Sequence, residues 1–430
     1  MTAAPPGQPG TGAGPATRRD RALDVLLLGA LSSFAPLSID MYLPALPAMA
    51  RDLQASPAAT QLSLTACLIG LAVGQLLAGP LSDARGRRRP LLAGVAVYAV
   101  ASALCIAAPG IWVLLVLRLA QGFAGAAGIV IARAVVRDRY EGDAMARFYA
   151  LLLIVNGAAP ILAPVLGAQL LRFTTWRGVF AVLAGIGLVL LAATAAGLPE
   201  SLPPERRRAG GLRATLRDGR QLLADREFCA YALASGLAFG AMFAYISGSP
   251  FVLQAKFGIS PQLFSVIFAV NGIGIIVTGQ VSRWLTGRVL LPTLLRAGLT
   301  GSAAGGVALL IAALTGLGLP VILPGLFVVV ASTGLVLPNA VALGLERHAH
   351  DAGSASGVMG LAQFAIGAAA APLVGVAGSH TDLPMALVIC VLGVAARCLA
   401  PRRRPRAQVP EARAPKPGAP GVPDARKPAI

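Results

Sequence analysis

Residues 60–108 read TQLSLTACLIGLAVGQLLAGPLSDARGRRRPLLAGVAVYAVASALCIAA, and the fold class follows from this stretch. It holds two apolar runs, Thr60–Leu81 and Pro90–Ala108, separated by a short turn rich in arginine. An α-helix needs about 20 mostly apolar residues to cross the hydrocarbon core of a bilayer. Each run is close to that length, so the stretch predicts two membrane-spanning helices joined by a polar turn.

The same pattern extends along the whole chain of 430 residues, of which 56% are hydrophobic and 13% charged. Soluble domains carry about 25% charged residues. We therefore predict an all-α membrane protein with twelve transmembrane helices in two pseudo-symmetric six-helix bundles. The twelve predicted spans are Leu23–Pro47, Thr60–Leu81, Pro90–Ala108, Ile111–Val130, Met145–Leu171, Val179–Leu198, Phe228–Leu253, Leu263–Trp284, Leu290–Leu314, Val321–Leu343, Gly353–Gly378 and Pro384–Leu399.

Arginine residues concentrate in both tails, in the turns after the second and fourth predicted spans, and in the middle segment after the sixth. With twelve spans, all of these positions fall on one side of the membrane. Cytoplasmic loops of membrane proteins carry an excess of lysine and arginine. The arginine pattern therefore predicts an even number of spans, with both termini in the cytoplasm.

A weak internal repeat supports a division of the spans into six and six. Residues Gly79–Arg87 read GPLSDARGR and residues Gly279–Arg288 read GQVSRWLTGR, each after the second span of its half. Transporter folds are commonly built from such duplicated bundles. The predicted domains are a disordered tail at 1–21, a six-helix bundle at 22–199, a cytoplasmic linker at 200–226, a second bundle at 227–400 and a disordered basic tail at 401–430. The linker is either an amphipathic helix on the inner leaflet or a solvated chain.

The net charge of +18 does not indicate a nucleic-acid partner, because the basic residues lie in short breaks and tails. No soluble segment is long enough for a nucleic-acid-binding or catalytic domain. Neither a GxxxxGK[ST] phosphate loop nor an HExxH motif is present. We therefore expect no enzyme, no cofactor and no metal. The five cysteines have no metal-binding spacing, and the acid- and histidine-rich stretch Glu346–Asp351 is interpreted as a solvated loop.

Asp40 is the only acidic residue well inside a predicted span. A charged side chain costs roughly 2.5–3.5 kcal/mol at the bilayer centre, so it is retained only if it is paired, protonated or facing a water-filled cavity. Burial disfavours the charged form of an acid, which lets such a group bind and release a proton near neutral pH. The sequence therefore predicts proton coupling at Asp40. A helix-breaking role beside Pro36, Pro44 and Pro47 is the alternative.

Arg118 lies inside the fourth predicted span, in the sequence LVLRLAQG. A guanidinium group in a membrane must find hydrogen-bond acceptors. Two roles are open to it: it tunes the proton affinity of Asp40, or it holds a nearby bend of the backbone. We predict that Arg118 takes part in proton coupling together with Asp40.

The turn between the second and third spans is dense in opposite charges. Such charges can clamp two helix ends together in one state of a transport cycle. Anchoring by positive charge alone is the alternative, but it does not account for an acid at Asp83. The predicted gating residues are Asp83, Arg85, Gly86, Arg87 and Arg88.

The fifth span contains two prolines beside Asn156. Proline bends a helix, and membranes tolerate such bends where neighbouring groups satisfy the freed carbonyl. A bend here predicts a cavity close to Asn156. The predicted helix-bend residues are Gly157, Pro160, Pro164 and Gly167, and the predicted cavity-lining residues are Phe34, Met41, Tyr42 and Asn156. Weaker polar candidates in the second half are Asn271, Asn339 and Gln363.

The ordered set of motifs resembles the major facilitator superfamily and, within it, the Bcr/CflA group of drug:proton antiporters. The likeness covers nearly the whole chain between the tails. The motifs that carry it are SIDMYLPALP at Ser38–Pro47, GPLSDARGRRRP at Gly79–Pro90, RLAQG at Arg118–Gly122, ARAVVRDRY at Ala132–Tyr140, NGAAPILAPVLG at Asn156–Gly167, YISGSPFVLQ at Tyr245–Gln254 and LPNAVALGLE at Leu337–Glu346.

The resemblance implies an exporter in the bacterial plasma membrane that exchanges a small drug for protons. It assigns proton coupling and cationic drug binding to Asp40, tuning of the proton site to Arg118, and the interface between the halves to the glycines and prolines of the fifth span. We expect the drug, protons and the lipid bilayer as partners, and a monomer. An exporter of an endogenous metabolite with the same fold is the nearest alternative. A membrane-embedded enzyme and a non-transporting sensor are more distant ones.

Two positions depart from the family pattern. Ala84 follows Asp83 where the family usually has an arginine, which leaves open which basic residue pairs with Asp83. Ser32 stands where some related antiporters carry a second membrane acid. With a single intramembrane carboxylate, we do not expect coupling to more than one proton.

Overall fold

A computed structural model describes residues 18–207, 222–346, 348, 352–378 and 380–401, and these residues form a helical protein. A 3-10 helix at Leu43–Ala45 and a π-helical turn at Phe251–Lys256 lie between the α-helices. The α-helices in chain order are α1 Arg18–Ser32, α2 Phe34–Asp40, α3 Leu46–Asp52, α4 Pro57–Arg85, α5 Arg88–Ile106, α6 Ile111–Arg139, α7 Gly142–Leu170, α8 Trp176–Gly197, α9 Arg226–Pro250, α10 Pro261–Leu285, α11 Leu291–Thr315, α12 Leu319–Leu345, α13 Ala352–Val374 and α14 Leu383–Leu399.

The helices follow the predicted spans closely. Within the described residues, ten helices are long and apolar enough to cross a membrane, and the bent segment from α1 to α3 makes an eleventh candidate. The last apolar helix, α14, is shorter, with 17 residues. Helices α4 and α6 have 29 residues each and end at Arg85 and Arg139. Both helices are longer than the predicted spans, because their last turns contain charged residues and the predicted spans included only the apolar run.

The segment predicted as the first span, Leu23–Pro47, is bent rather than straight. Helix α1 ends at Ser32, and the chain then continues to Asp52 at an angle of 44°. The Oγ atoms of Ser32 and Ser33 both donate to the carbonyl oxygen of Gly29, at 2.8 and 3.0 Å. At the end of α1, these hydroxyl groups compete with the backbone N–H groups for the same carbonyl oxygen. The bend allows α2 to enter the centre of the protein.

Helices α4 and α10 begin with the same capping arrangement. The Oγ atom of Ser56 accepts a hydrogen bond from the N–H of Ala59 at 3.1 Å, and that of Ser260 accepts one from Leu263 at 3.2 Å. Each serine precedes a proline at the start of the helix. Proline lacks a backbone N–H, but at this position the N–H would have no acceptor within the helix. The shared start extends the internal repeat seen in the turns that follow these two helices.

Glycine residues bring α4 and α6 into backbone contact. Gly70 and Gly74 on α4 lie against the backbone of Phe123, and Gly122 on α6 lies against the carbonyl oxygen of Cys67. A Cβ atom at any of the three positions would overlap backbone atoms of the other helix. Small residues spaced in this way allow membrane helices to approach closely. The contact holds α6 close to the centre of the molecule.

The buried apolar core divides at one end of the protein. The α4–α5 turn, residues 86–87, marks one end of the molecule, which we call the basic end. Helices α1–α8 form the first set, and helices α9–α14 form the second set. Near the basic end, one cluster around Phe34 belongs to the first set and a separate cluster around Phe228 belongs to the second. Toward the opposite end, a single larger cluster contains Tyr42 and Phe243 and joins both sets.

Some predictions concern residues outside the described part of the chain. The predicted tails lie there except for residues 18–21 and 401, and so does the middle of the predicted linker, residues 208–221. Of the stretch Glu346–Asp351, only residues 346 and 348 are described. His348 pairs with Asp225 through Nε2 and Oδ2 at 3.0 Å. Among the described residues, no group of three or more His, Cys, Asp or Glu side chains is placed to hold a metal ion.

Candidate functional site

Asp40 is the last residue of α2, and only 6% of it is exposed. Within the described residues, no hydrogen bond or ion pair engages its carboxyl group. Asp40 instead lines a cavity of about 230 Å³ near the middle of the molecule. A carboxyl group in such a place is neutralised by a proton or by a cationic occupant of the cavity.

The cavity beside Asp40 lies between the two sets of helices. Its lining combines residues of α2, α4 and α7 with residues of α9, α10, α12 and α13. The other polar residues of the lining are Tyr245 and Asn271, and Nδ2 of Asn271 donates to the Tyr245 hydroxyl oxygen at 2.9 Å. The remaining surface is apolar and rich in aromatic rings. Four phenylalanines contribute these rings: Phe239, Phe243, Phe268 and Phe364.

Arg118 is completely buried on α6 and does not pair with Asp40. Its Nη2 donates to the backbone carbonyl oxygen of Ser38 at 2.7 Å, and its Nη1 donates to Oε1 of Gln121. The guanidinium group also lies over the ring of Tyr42, 4.4 Å from the centroid. All of these partners are neutral. Because Ser38 lies two residues before Asp40 on α2, Arg118 can influence the position of Asp40 through the backbone of α2.

A network of buried hydrogen bonds extends from Arg118 to α5. Nε2 of Gln121 donates to Oγ of Ser102 at 2.7 Å, and that hydroxyl donates to the carbonyl oxygen of Tyr98 at 2.7 Å. The Tyr98 hydroxyl shares a hydrogen bond of 2.8 Å with Oγ of Ser38. Sequence reasoning missed three members of the network because isolated polar residues in an apolar run do not reveal their partners. Gln121 and Ser38 were flagged only as parts of the motifs RLAQG and SIDMYLPALP, and neither motif indicates these bonds.

The four residues predicted to line the cavity lie outside the lining described here. Phe34 stacks on Tyr98, with ring centroids 4.1 Å apart. Met41 and Tyr42 are buried beside α7 and beneath the guanidinium group of Arg118, respectively. The Nδ2 atom of Asn156 donates to its own helix at 2.8 Å and to the end of α1 at 3.4 Å. These side chains shape the segment that carries Asp40 rather than the cavity surface.

The predicted helix-bend residues lie on α7, which remains one helix through Pro160 and Pro164. Pro160 lines the cavity beside Asp40. Gly167 lies directly against the carbonyl oxygen of Met41, where a Cβ atom would overlap it. Gly157 has open space at the corresponding position. Helix α7 also packs against α10 of the second set, so this helix connects the Asp40 segment to the other set.

The turn at the basic end identifies Arg87 as the partner of Asp83. Its Nη1 lies 2.6 Å from Oδ1 of Asp83, and its Nε lies 2.8 Å from Oδ2 of Asp138 on α6. The Arg87 side chain is only 3% exposed. Gly86 has a φ of +86°, a conformation that other residues rarely adopt, and it turns the chain between α4 and α5.

Glu200, which follows the end of α8, stabilises the α4–α5 turn. Its carboxylate oxygens accept hydrogen bonds from the backbone N–H groups of Arg87 and Arg88, at 2.7 and 3.2 Å. Partial burial opposes its ionisation, but the bonds from Leu202, Arg87 and Arg88 together hold the pKa of Glu200 below its usual value. The Arg88 guanidinium donates to carbonyl oxygens at the end of α8. Arg85 is exposed and has no partner among the described residues.

Replacing Arg87 with glutamine is expected to lower the free energy of unfolding by about 2 kcal/mol, because hydrogen bonds between charged groups contribute roughly that much and Asp138 would lose its cation. Thermal unfolding of the detergent-purified protein measures this. Arg147→Gln is the matched control, since it removes the same charge from an exposed side chain of α7, and we expect less than about 0.5 kcal/mol there. Equal losses in the two variants would contradict a specific role for the Arg87 network.

The two ends of the molecule differ in how the helix sets meet. At the basic end, an opening of about 840 Å³ lies between α4, α6 and α7 of the first set and α13 of the second. Toward the opposite end, side chains bond across the sets: Nε2 of Gln61 donates to the carbonyl oxygen of Ser247 at 3.0 Å, and Oγ1 of Thr65 donates to that of Ala368 at 2.8 Å. The larger opening between the sets is therefore at the basic end; toward the other end hydrogen bonds join the sets beside a smaller cavity of about 540 Å³.

A bundle of membrane-length helices around a central cavity with one buried acid is the architecture of a solute transporter. The sequence profile of the Major Facilitator Superfamily matches residues 28–372. The chain belongs to that superfamily, as its motifs predicted.

Relatives and solved structures agree with this assignment. The chain is 40% identical to the uncharacterized MFS-type transporter YdgK of Bacillus subtilis, over 88% of this chain and 94% of the relative. It is 31% identical to a bicyclomycin resistance protein homolog of Haemophilus influenzae, over 84% and 91% of the two chains. The crystal structure of the nucleoside transporter NupG shares the fold, with a TM-score of 0.73 at 14% identity over 88% of this chain and 99% of that one.

Proposed function

We propose that this transporter exports small drugs from the cytoplasm in exchange for protons. The observation that carries the proposal is the Asp40 carboxyl group, which is buried in a largely apolar cavity shared by both helix sets and has no hydrogen-bond or ionic partner among the described residues. A lone membrane acid is suited to binding and releasing a proton. The similarity to a bicyclomycin resistance protein homolog supports a drug as the cargo.

The architecture proposed with this function is twelve spans in two bundles of six, with both termini in the cytoplasm. Ten long helices, the bent α1–α3 segment and α14 supply the twelve. One ion pair in each set supports the repeat: Asp52 binds Arg177, and Lys256 binds Asp382 at 2.7 Å. Each pair joins the end of the first span of its set to the start of the last. The excess of arginine at the basic end supports a cytoplasmic position for that end.

In the proposed cycle, the two bundles rock about the central cavity so that it opens to one side at a time. The described state, open at the basic end, accepts a drug from the cytoplasm. The drug and the proton compete for Asp40, so loading of one favours release of the other. Arg118 holds the backbone at Ser38 and thereby keeps Asp40 directed into the cavity. The Arg87 network fastens α4, α6 and the chain after α8 as one unit during the motion.

The proposed drug site has Asp40 on one wall and the hydrogen-bonded pair of Tyr245 and Asn271 among the residues of the second set. Ligand sites are typically apolar with a few polar groups that set orientation. A cavity of about 230 Å³ lined by phenylalanine rings fits a compact, mainly apolar molecule that carries one or two polar groups. The family resemblance implies chloramphenicol-like compounds, bicyclomycin and tetracycline-like compounds as the drugs to test first; of these, the chloramphenicol-like compounds come nearest to that description.

Drug-induced proton flux tests the proposal. Proteoliposomes containing the purified protein, an acidic lumen and a luminal pH dye should become more alkaline inside when a carried drug is added outside. Neutral drugs are preferred, because a weak base dissipates the gradient without a carrier, and protein-free liposomes are the control. Absence of flux with every drug class would contradict drug:proton antiport. Flux with fractions of a bacterial extract, but with no drug, would favour the metabolite exporter instead.

A further inference from the structure

A second cavity lies on the outer surface of the first set, away from the Asp40 cavity. It is a groove of about 190 Å³ between α4, α5 and α6, and all of its lining residues are apolar. Its floor includes the small residues Gly74, Ala78 and Gly94, and its rim includes Leu77 and Val97, which are 37% and 48% exposed. The groove therefore faces the surroundings of the helices rather than the interior of the protein.

The groove points toward two exposed arginines, Arg85 and Arg89. On α4, Leu77 and Leu81 of the lining are followed by Arg85 at the same spacing of four residues, so the three lie along one helix face. On α5, the same spacing places Arg89 in line with Ala93 of the lining, and then with Val97. Both arginines are exposed, and neither forms a hydrogen bond or ion pair with the described residues.

The acids close to this turn do not neutralise the two arginines. Asp83 and Asp138 both bind Arg87, at 2.6 and 2.8 Å. Glu200 binds the backbone N–H groups of the turn. Within the described part of the chain, the mouth of this apolar groove therefore presents two positive charges that no acidic side chain pairs with.

We propose that the groove binds an anionic phospholipid, with one acyl chain between α4, α5 and α6 and the phosphate held by Arg85 and Arg89. The lining is apolar throughout, and exposed leucine and valine side chains flank the groove. Arginine at a membrane surface gains about 1 kcal/mol from anionic lipid. The bound lipid braces α4 against α5 at the turn that carries Arg87. The site is separate from the drug cavity and does not depend on the proposed transport activity.

Native mass spectrometry of the full, detergent-purified chain tests the proposal, with dioleoylphosphatidylglycerol and dioleoylphosphatidylcholine as probes. The wild type should retain one phosphatidylglycerol in preference to phosphatidylcholine. Arg85→Gln/Arg89→Gln should weaken that preference by about 30-fold, which corresponds to about 1 kcal/mol for each arginine. Ala93→Phe fills the groove from its exposed rim without changing the charge. It should weaken binding of both lipids.

The matched control is Arg147→Gln/Arg226→Gln, which removes two exposed arginines from the basic end away from the groove. It should leave the preference unchanged. An equal loss in the control would show attraction by net charge alone and overturn the site. Full binding by Ala93→Phe, or an unchanged preference in Arg85→Gln/Arg89→Gln, would also overturn it. Circular dichroism and thermal unfolding of each variant separate loss of lipid from loss of fold.

Discussion

Asp40→Asn is expected to abolish drug-coupled proton flux in proteoliposomes while leaving the protein folded. Asparagine has the shape of the acid but cannot carry a proton, and the lining of the central cavity contains no other acid. We expect the flux to fall by about 100-fold or more, since a membrane carboxyl group of this kind is the proton carrier in the proposal. The unfolding temperature should be unchanged or slightly higher, because Asp40 has no ionic partner to lose.

The exposed acid Asp143 provides the matched control for this experiment. Asp143→Asn removes the same charge from the first turn of α7 at the surface and should leave the flux close to that of the wild type. Asp40→Glu keeps the titratable group and should retain part of the flux. Normal export by Asp40→Asn would show that Asp40 is structural and that the proton takes another route. Equal losses in Asp143→Asn would indicate an effect of net charge.

Arg118→Lys is the second substitution with a large expected effect. The lysine keeps the positive charge but has one ammonium group, which cannot reproduce the two-pronged contact of the guanidinium with Ser38 and Gln121. Leaving a buried acceptor unsatisfied costs about 1–3 kcal/mol. We therefore expect transport to fall at least about tenfold, the change in rate that corresponds to roughly 1.4 kcal/mol.

The lysine variant separates the two roles that the sequence left open for Arg118. If its charge tunes the proton affinity of Asp40, Arg118→Lys should work nearly as well as the wild type and Arg118→Ala should fail. If it holds the bend at Ser38, both variants should fail to similar degrees. The contact with a backbone carbonyl and the absence of an ion pair to Asp40 favour the second outcome. Transport and thermal unfolding, measured together, distinguish a misplaced acid from an unfolded protein.

The helices were predictable because membrane insertion depends on properties that each segment carries by itself. A run of about 20 apolar residues is enough to indicate a span, and arginine-rich turns indicate its orientation. The predicted run Ile111–Val130 begins at the same residue as α6. The helix continues beyond the predicted end to Arg139, because its last turns carry charged residues. Asp40 was identifiable for the same reason, since one acid in an apolar run stands out without any knowledge of its neighbours.

The cavity was not predictable in the same way. Phe34, Met41 and Tyr42 lie close to Asp40 in the chain, and proximity in sequence suggested that they share its cavity. The bend after Ser32 turns them toward α5, α6 and α7 instead. Tyr245 comes from a helix two hundred residues further along and occupies the lining because the two helix sets meet there. A side chain's direction around a bent helix depends on tertiary packing, which hydropathy does not contain.

Local composition was therefore sufficient to locate the apolar helices, the arginine-rich basic end and the buried acid Asp40. Only the folded structure shows that Arg87 is the partner of Asp83, that Arg118 binds the carbonyl oxygen of Ser38, and that the groove between α4, α5 and α6 leads to two exposed arginines. The physical reason is the range of the interactions. Transfer into lipid is a property of each residue, whereas hydrogen bonds and cavities require two distant segments to lie within a few ångströms.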